Sequence, residues 1–191
     1  AVIVDAVRTP VGKRNGSLAK IHAVDLSAHV LNALVARNGF DPAVVDDVIW
    51  GCVQQVGQQG LNVARMAVLG AGWPESVPGT TVDRQCGSSQ QSIHFAAAGL
   101  LSGQYDVAIA GGVEMMSAVP LGAMAMFKDL GRPGGPKVRE RYGVTFNQGI
   151  GAEMMAEKWG LSRDQLDEFS LRSHEKAAAA QDAGAFKDQI V

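Results

Sequence analysis

Residues 48–53 (VIWGCV) constrain the fold more than any other stretch of this 191-residue chain, because six consecutive positions carry no charge and no strongly polar side chain. A membrane-spanning helix needs about 20 apolar residues, so this run is far too short to be one. It also lacks the alternation of a strand with one wet face, and it reads as a strand covered on both faces, as in parallel sheets. Parallel strands need crossover connections, usually helical, and the flanking sequence supplies them.

Upstream, Val24, Ala28, Leu31 and Val35 recur at the helical period, and Gly39 follows where a left-handed glycine ends helices. Downstream, residues 62–69 carry a short helical pattern between glycines, and residues 80–82 (TTV) read as a strand. Residues 87–101 read as a helix of small side chains and residues 106–110 (DVAIA) as another strand. Residues 2–4 (VIV) read as a short buried strand opening the chain, before a Gly-rich turn region over residues 9–17. Such alternation predicts an α/β fold: a mixed, mostly parallel sheet with helices on both faces.

After Ser117 the texture changes, with Pro120, Pro133 and Pro136 among many glycines. Leu121, Met124, Met126, Phe127 and Phe146 remain available for packing, so the segment reads as an excursion from the sheet rather than a linker. Order resumes at Ser162-Arg163-Asp164-Gln165, which fits a capping box. Leu166, Phe169, Ser173 and Ala177 then mark one helix face. The expected division is a core over residues 1–110, an inserted loop domain starting over 111–160, and a further helix and segment over 161–191. The apolar run at Gln189-Ile190-Val191 has no turn signal, and Ala1 directly precedes residues 2–4, so the natural chain is expected to continue beyond these residues.

Composition removes several functional classes. The chain is 47% hydrophobic and 19% charged, enough apolar content for a sizeable core. A net charge of −2 and a pI near 6.1 give no global basic field for nucleic acid or anionic lipid. No charged leader with an apolar core opens the sequence, and its two cysteines show no metal-ligand spacing. A reducing, cytoplasmic setting is expected.

Cys86 stands between a strand ending near Val82 and a helix starting near Gly87. A thiol there meets the unpaired N–H groups and the dipole of a helix N-terminus, which favour a thiolate nucleophile. Gly87, Ser88 and Ser89 keep the surroundings small, and the Cys86 N–H is placed to help hold an oxyanion. The alternative is a small buried cysteine, the reading that suits Cys52 inside its apolar strand. A nucleophilic cysteine needs a base. His94 lies eight residues along the same helix, roughly 12 Å away at 1.5 Å per residue. His22, His29 and His174 have no local context as a base, so one has to come from elsewhere.

Five segments together resemble the thiolases, acyl-CoA acyltransferases. They are residues 4–18 (VDAVRTPVGKRNGSL), 51–65 (GCVQQVGQQGLNVAR), 81–99 (TVDRQCGSSQQSIHFAAAG), 110–117 (AGGVEMMS) and 162–191 (SRDQLDEFSLRSHEKAAAAQDAGAFKDQIV). The resemblance implies the N-terminal βαβαβαββ half of a thiolase-like fold, with part of a loop domain inserted. It places the acyl-accepting nucleophile on Cys86. It also implies that the remaining catalytic groups (a histidine, an asparagine that orients a water, and a second cysteine) belong to the family's second half. These 191 residues alone are therefore expected not to turn over. Acyl-CoA and coenzyme A are the implied partners, coenzyme A being a substrate, no metal or redox cofactor is implied, and the assembly implied is a homodimer or homotetramer. A non-catalytic acyl-CoA-binding relative and a β-ketoacyl synthase-type enzyme are the alternatives.

Three positions depart from the family pattern. Ser89 holds the glycine position of the usual Cys-x-Ser-Gly, and Asp83 stands where asparagine is frequent. Asn147-Gln148-Gly149 replaces the His-Met-Gly of many short-chain members. The resemblance places Asn147 and Gln148 at the acyl pocket and so implies a longer or bulkier acyl chain, while Met154 reads either as a further residue of that pocket or as core filling. Arg132, Lys137, Arg139 and Arg141 form a basic cluster that reads either as a coenzyme A phosphate contact or as a solvated loop.

Overall fold

The apolar run does form a central strand, β1 (Asp47–Gly51), with every residue buried. The computed structural model describes residues 1–131, 133–143 and 146–191, without the side chain of Lys128. Arg132 of the basic cluster lies outside the described residues. The chain divides into two compact units, residues 1–127 with 189–191, and residues 128–188.

In the first unit β1 lies between β2 (Gly79–Val82) and β3 (Ala108–Gly112), parallel to both. The helices between them are α1 (Ala23–Asn38), α2 (Val63–Gly70) and α3 (Ser88–Ser102). α1 ends on Gly39 at φ 68°, the left-handed conformation that its position in the sequence predicts. Strand alternation sorts the layers. Val48, Trp50 and Ile109 share a core with Leu31 of α1 and with Val63, Ala64, Ala67 and Val68 of α2. The Trp50 indole N–H, buried in that core, donates to the Ser27 hydroxyl of α1 at 3.2 Å.

The opposite face of β1 and β3 takes α3, whose buried residues are all small: Ser88, Ser92, Ala96 and Gly99. Glycine allows the closest approach. A Cβ on Gly51 would overlap the Ser89 amide nitrogen and come within 2.5 Å of the Ser88 carbonyl carbon. One on Gly112, paired with Gly51, would strike the Ser89 hydroxyl and the Gly51 carbonyl oxygen. The first turn of α3 is therefore seated on bare backbone at the C-terminal ends of two strands.

Strand limits differ from the sequence pattern for identifiable reasons. β1 stops at Gly51 because the Glu114 carboxylate takes the N–H groups of Val53 and Gln54, at 2.9 and 3.2 Å. β3 begins at Ala108, two residues late, because Asp46 accepts the N–H groups of Val107 and Asp106 at 3.0 and 2.7 Å. Those two bonds hold the Asp46 carboxyl below the usual carboxylate range. Residues 2–4 form no strand: they are 83%, 82% and 83% exposed and pair with neither sheet edge. An extended apolar run becomes a strand only with a hydrogen-bonding neighbour. Here pairing starts at Arg8, whose N–H donates to Gln189 and whose carbonyl accepts from Val191.

The second unit holds α4 (Pro136–Tyr142), α5 (Gln148–Trp159) and α6 (Arg163–Asp182). α6 opens with the full capping box between Ser162 and Gln165. Its apolar face is present but uncovered, with Leu166 at 41% and Phe169 at 72% exposure.

Replacing Gly112 by alanine is expected to lower stability by about 1–3 kcal/mol through overpacking. Adding Ser89→Gly should recover only part of that, because the clash with the Gly51 carbonyl remains. Urea unfolding of both variants checks this, and a Gly112→Ala midpoint equal to the parent's contradicts the seating.

Candidate active site

The turn from β2 into α3 carries Cys86 at its apex. Asp83 leaves the strand and accepts the Gln85 N–H on its Oδ1 at 2.7 Å, an Asx turn. Gln85 is a non-glycine residue at φ 42°, in the left-handed region. Behind it, the Ser88 hydroxyl accepts from the Arg84 N–H at 3.1 Å and donates to the Gln85 carbonyl at 2.7 Å. The Gly87 N–H closes the turn on the Arg84 carbonyl at 2.9 Å. Cys86 emerges exposed. Gly87, the N-cap of α3, contributes no side-chain cap to the helix. An uncapped helix N-terminus beside an exposed thiol can bind developing negative charge on a carbonyl oxygen.

The other cysteine is chemically opposite. Cys52 is 1% exposed within the core. Burial first, then the negative charges of Glu114 and Asp83, push its thiol up to about 12. It stays protonated where Cys86 faces solvent.

A polar brace that sequence reasoning did not single out lies beyond the strand ends. Besides its two backbone donors, Glu114 accepts the Gln59 side-chain N–H at 2.9 Å. Fully buried Gln59 also donates to the Gln54 carbonyl at 2.8 Å and accepts the Met115 N–H. Gln54 Oε1 accepts from Met124 at 3.2 Å. The brace ties the segment after β1 to the segment after β3, on either side of the seat of α3. Its only sequence signal was the placing of Gln59 and Glu114 inside two family-like segments.

The residues expected at the acyl pocket belong to the second unit. Asn147 is the N-cap of α5: its Oδ1 accepts from Gly149 at 2.9 Å and from Ile150 at 3.2 Å. Gln148 begins that helix, and exposed Met154 lines a groove of about 760 Å³ with Ile150, Glu153, Glu157 and Leu161. His94 is exposed on α3. Among the described residues, no group of three or more His, Cys, Asp and Glu side chains is placed to hold a metal ion, and no helix is long and apolar enough to cross a membrane.

The two cysteines yield a pH prediction. The Cys52 thiol has a raised folded-state pKa, while in the unfolded chain it ionises near 8.5. Its contribution to stability is therefore complete below about pH 8.5 and is lost as pH rises toward 12. The stability difference between the parent and Cys52→Ala, measured by urea unfolding, should shrink across that window. A difference that stays constant or grows there contradicts the assignment.

The model of the N-terminal domain of thiolase matches residues 1–191. A steroid 3-ketoacyl-CoA thiolase of Mycobacterium tuberculosis is 50% identical over 197 residues, covering 100% of this chain and 48% of the relative. A 3-ketoacyl-CoA thiolase of Erwinia tasmaniensis is 46% identical over 193 residues, with the same coverage. The crystal structure of the Bacillus anthracis acetyl-CoA acetyltransferase superposes with a TM-score of 0.80 at 35% identity, covering 100% of this chain and 50% of that one. The chain thus spans about half the length of the relatives it matches. Sequence along the whole chain and the parallel sheet with its crossover helices agree, and the chain belongs to the thiolase family, matching its N-terminal domain.

Proposed function

We propose that this polypeptide serves a thiolase reaction in which Cys86 carries the acyl group. The observation that supports the role best is the placement of the thiol: exposed, on a hydrogen-bonded turn, at the uncapped N-terminus of α3. The thiolate attacks the keto carbon of a 3-ketoacyl-CoA. The carbon–carbon bond then breaks, its electron pair leaves on the departing acetyl-CoA as a carbanion that takes up a proton, and the acyl group remains as a Cys86 thioester. The thiolate of coenzyme A attacks that thioester, forms the shortened acyl-CoA and frees Cys86. In reverse, acetylated Cys86 accepts the carbanion of a second acetyl-CoA. Backbone N–H groups at the start of α3 are suited to the oxyanion in both directions.

In the same reading, residues 1–110 form the core and residues 111–160 and 161–191 belong to an inserted loop domain. Asn147, Gln148 and Met154 contact the acyl chain, which is longer or bulkier than acetoacetyl. The exposed apolar character of Met154 and the steroid 3-ketoacyl-CoA thiolase at 50% identity favour that substrate class. The assembly is a cytoplasmic homodimer or homotetramer without metal or redox cofactor, and its partners are acyl-CoA and coenzyme A.

Full-length polypeptide incubated with acetoacetyl-CoA or with a longer 3-ketoacyl-CoA should gain the corresponding acyl mass on the Cys86 peptide. The longer substrate should react faster, and Cys86→Ala should abolish both adducts. An adduct on another residue, or none, sinks the role of Cys86, and a strict acetoacetyl preference sinks the chain-length assignment.

A further inference from the structure

Three observations converge on the four residues before α3. Gln85 holds a backbone conformation that side-chain-bearing residues seldom adopt. Two side chains fasten it: Asp83 from the strand side, through the Gln85 N–H, and Ser88 from the helix side, through the Gln85 carbonyl and the Arg84 N–H. Ser88 is 6% exposed and held by its neighbours, since its carbonyl accepts from Ser92 and its own turn rests on Gly51. Both backbone polar groups of Gln85 are thereby bonded to side chains, one from each side of Cys86: the exposed Asp83 and the buried Ser88.

A residue in the left-handed region persists only where its surroundings over-determine it. Without the Asx turn the Gln85 N–H loses the side-chain acceptor that the structure shows for it. We infer that Asp83 and Ser88 are positioning residues: together they hold Gln85 left-handed and so aim the Cys86 sulfur at the space before the N-terminus of α3. The inference rests on the reading of Cys86 as the acyl carrier and adds to it the groups that set its direction. What Asp83 supplies is an acceptor oxygen at Oδ1, which an asparagine at this position would equally supply. The departure from the usual residue at position 83 therefore preserves the geometry of the turn.

The test compares Asp83→Ala, Asp83→Asn and Ser88→Ala in the full polypeptide, with two readouts at Cys86: the rate of acyl-enzyme formation from a 3-ketoacyl-CoA and the rate of alkylation by iodoacetamide. Misplacing a reacting atom by about 1 Å can reduce a rate roughly 100-fold, so a loss of about tenfold or more in acylation is expected for Asp83→Ala and Ser88→Ala. The loss should fall on the rate at saturating substrate and leave the half-saturating concentration nearly unchanged. Asp83→Asn should recover most of the parental rate. A merely structural role would instead track the unfolding midpoint of each variant and show no selective rescue by asparagine. Amide hydrogen exchange at Gln85 in the parent gives a measurement that no variant can compromise by misfolding, and slow exchange is expected there. Parental acylation rates in both alanine variants, a loss in Asp83→Asn equal to that in Asp83→Ala, or fast exchange at Gln85 would each overturn the inference. If the parent itself takes no acyl group, the thiolase reading fails separately, and the clamp is then judged on the alkylation rates and the exchange.

Discussion

The seating of α3 on two bare glycines organises the first unit. Helix and sheet can approach to backbone contact only where neither side chain intervenes, and Gly51 and Gly112 sit opposite one another in register at the strand ends where this happens. The small buried face of α3 suits that contact at Ser88, Ser92 and Ala96, while Gly99 makes room for the Tyr105 ring. The sharpness of the β2–α3 turn follows from the same contact. A helix starting this close to the sheet leaves only residues 83–87 to reverse the chain, and the left-handed Gln85 accommodates the reversal.

Electrostatics divide the two cysteines along the same line. Cys52 lies on the side of the sheet that packs against α1 and α2, desolvated and facing the charges of Glu114 and Asp83, which suppress its ionisation. Cys86 lies past the strand end, at the positive end of a helix and in contact with water. Of the two thiols only Cys86 is exposed, and the proposed nucleophilic chemistry falls on it. The Glu114–Gln59–Gln54 brace keeps the neighbouring loops in place using a carboxylate whose three donors replace its lost hydration.

Much of this was legible in the sequence, because periodicity reports which faces are buried. The helical spacing around Leu31 located α1, the small residues after Gly87 located α3, and the unbroken apolar run located β1. The turn holding Cys86 was legible from its chemistry. What periodicity cannot report is the partner of a group. Residues 2–4 have strand composition, but pairing needs a neighbour, and the described sheet edges do not provide one for them. The ends of β1 and β3 were misplaced because carboxylates roughly 60 positions away, Glu114 and Asp46, take the N–H groups that would have continued the ladders. Nothing in the apolar pattern pairs Gly51 with Gly112, which lies beyond the strand expected over residues 106–110; only the register sets them side by side beneath Ser89. Asp83 was visible only as a departure from a family pattern, and its hydrogen bond to Gln85 gives the departure a physical meaning.

In the proposed reaction the seated N-terminus of α3 and the Cys86 thiol together receive an acyl group. The decisive measurement is a crystal structure of the full-length polypeptide exposed to a 3-ketoacyl-CoA. Acyl density continuous with Cys86 Sγ is expected, its carbonyl oxygen within hydrogen-bonding distance of backbone N–H groups at the start of α3. Acyl density joined to any other side chain, or a Cys86 thioester whose carbonyl points away from α3, would contradict it.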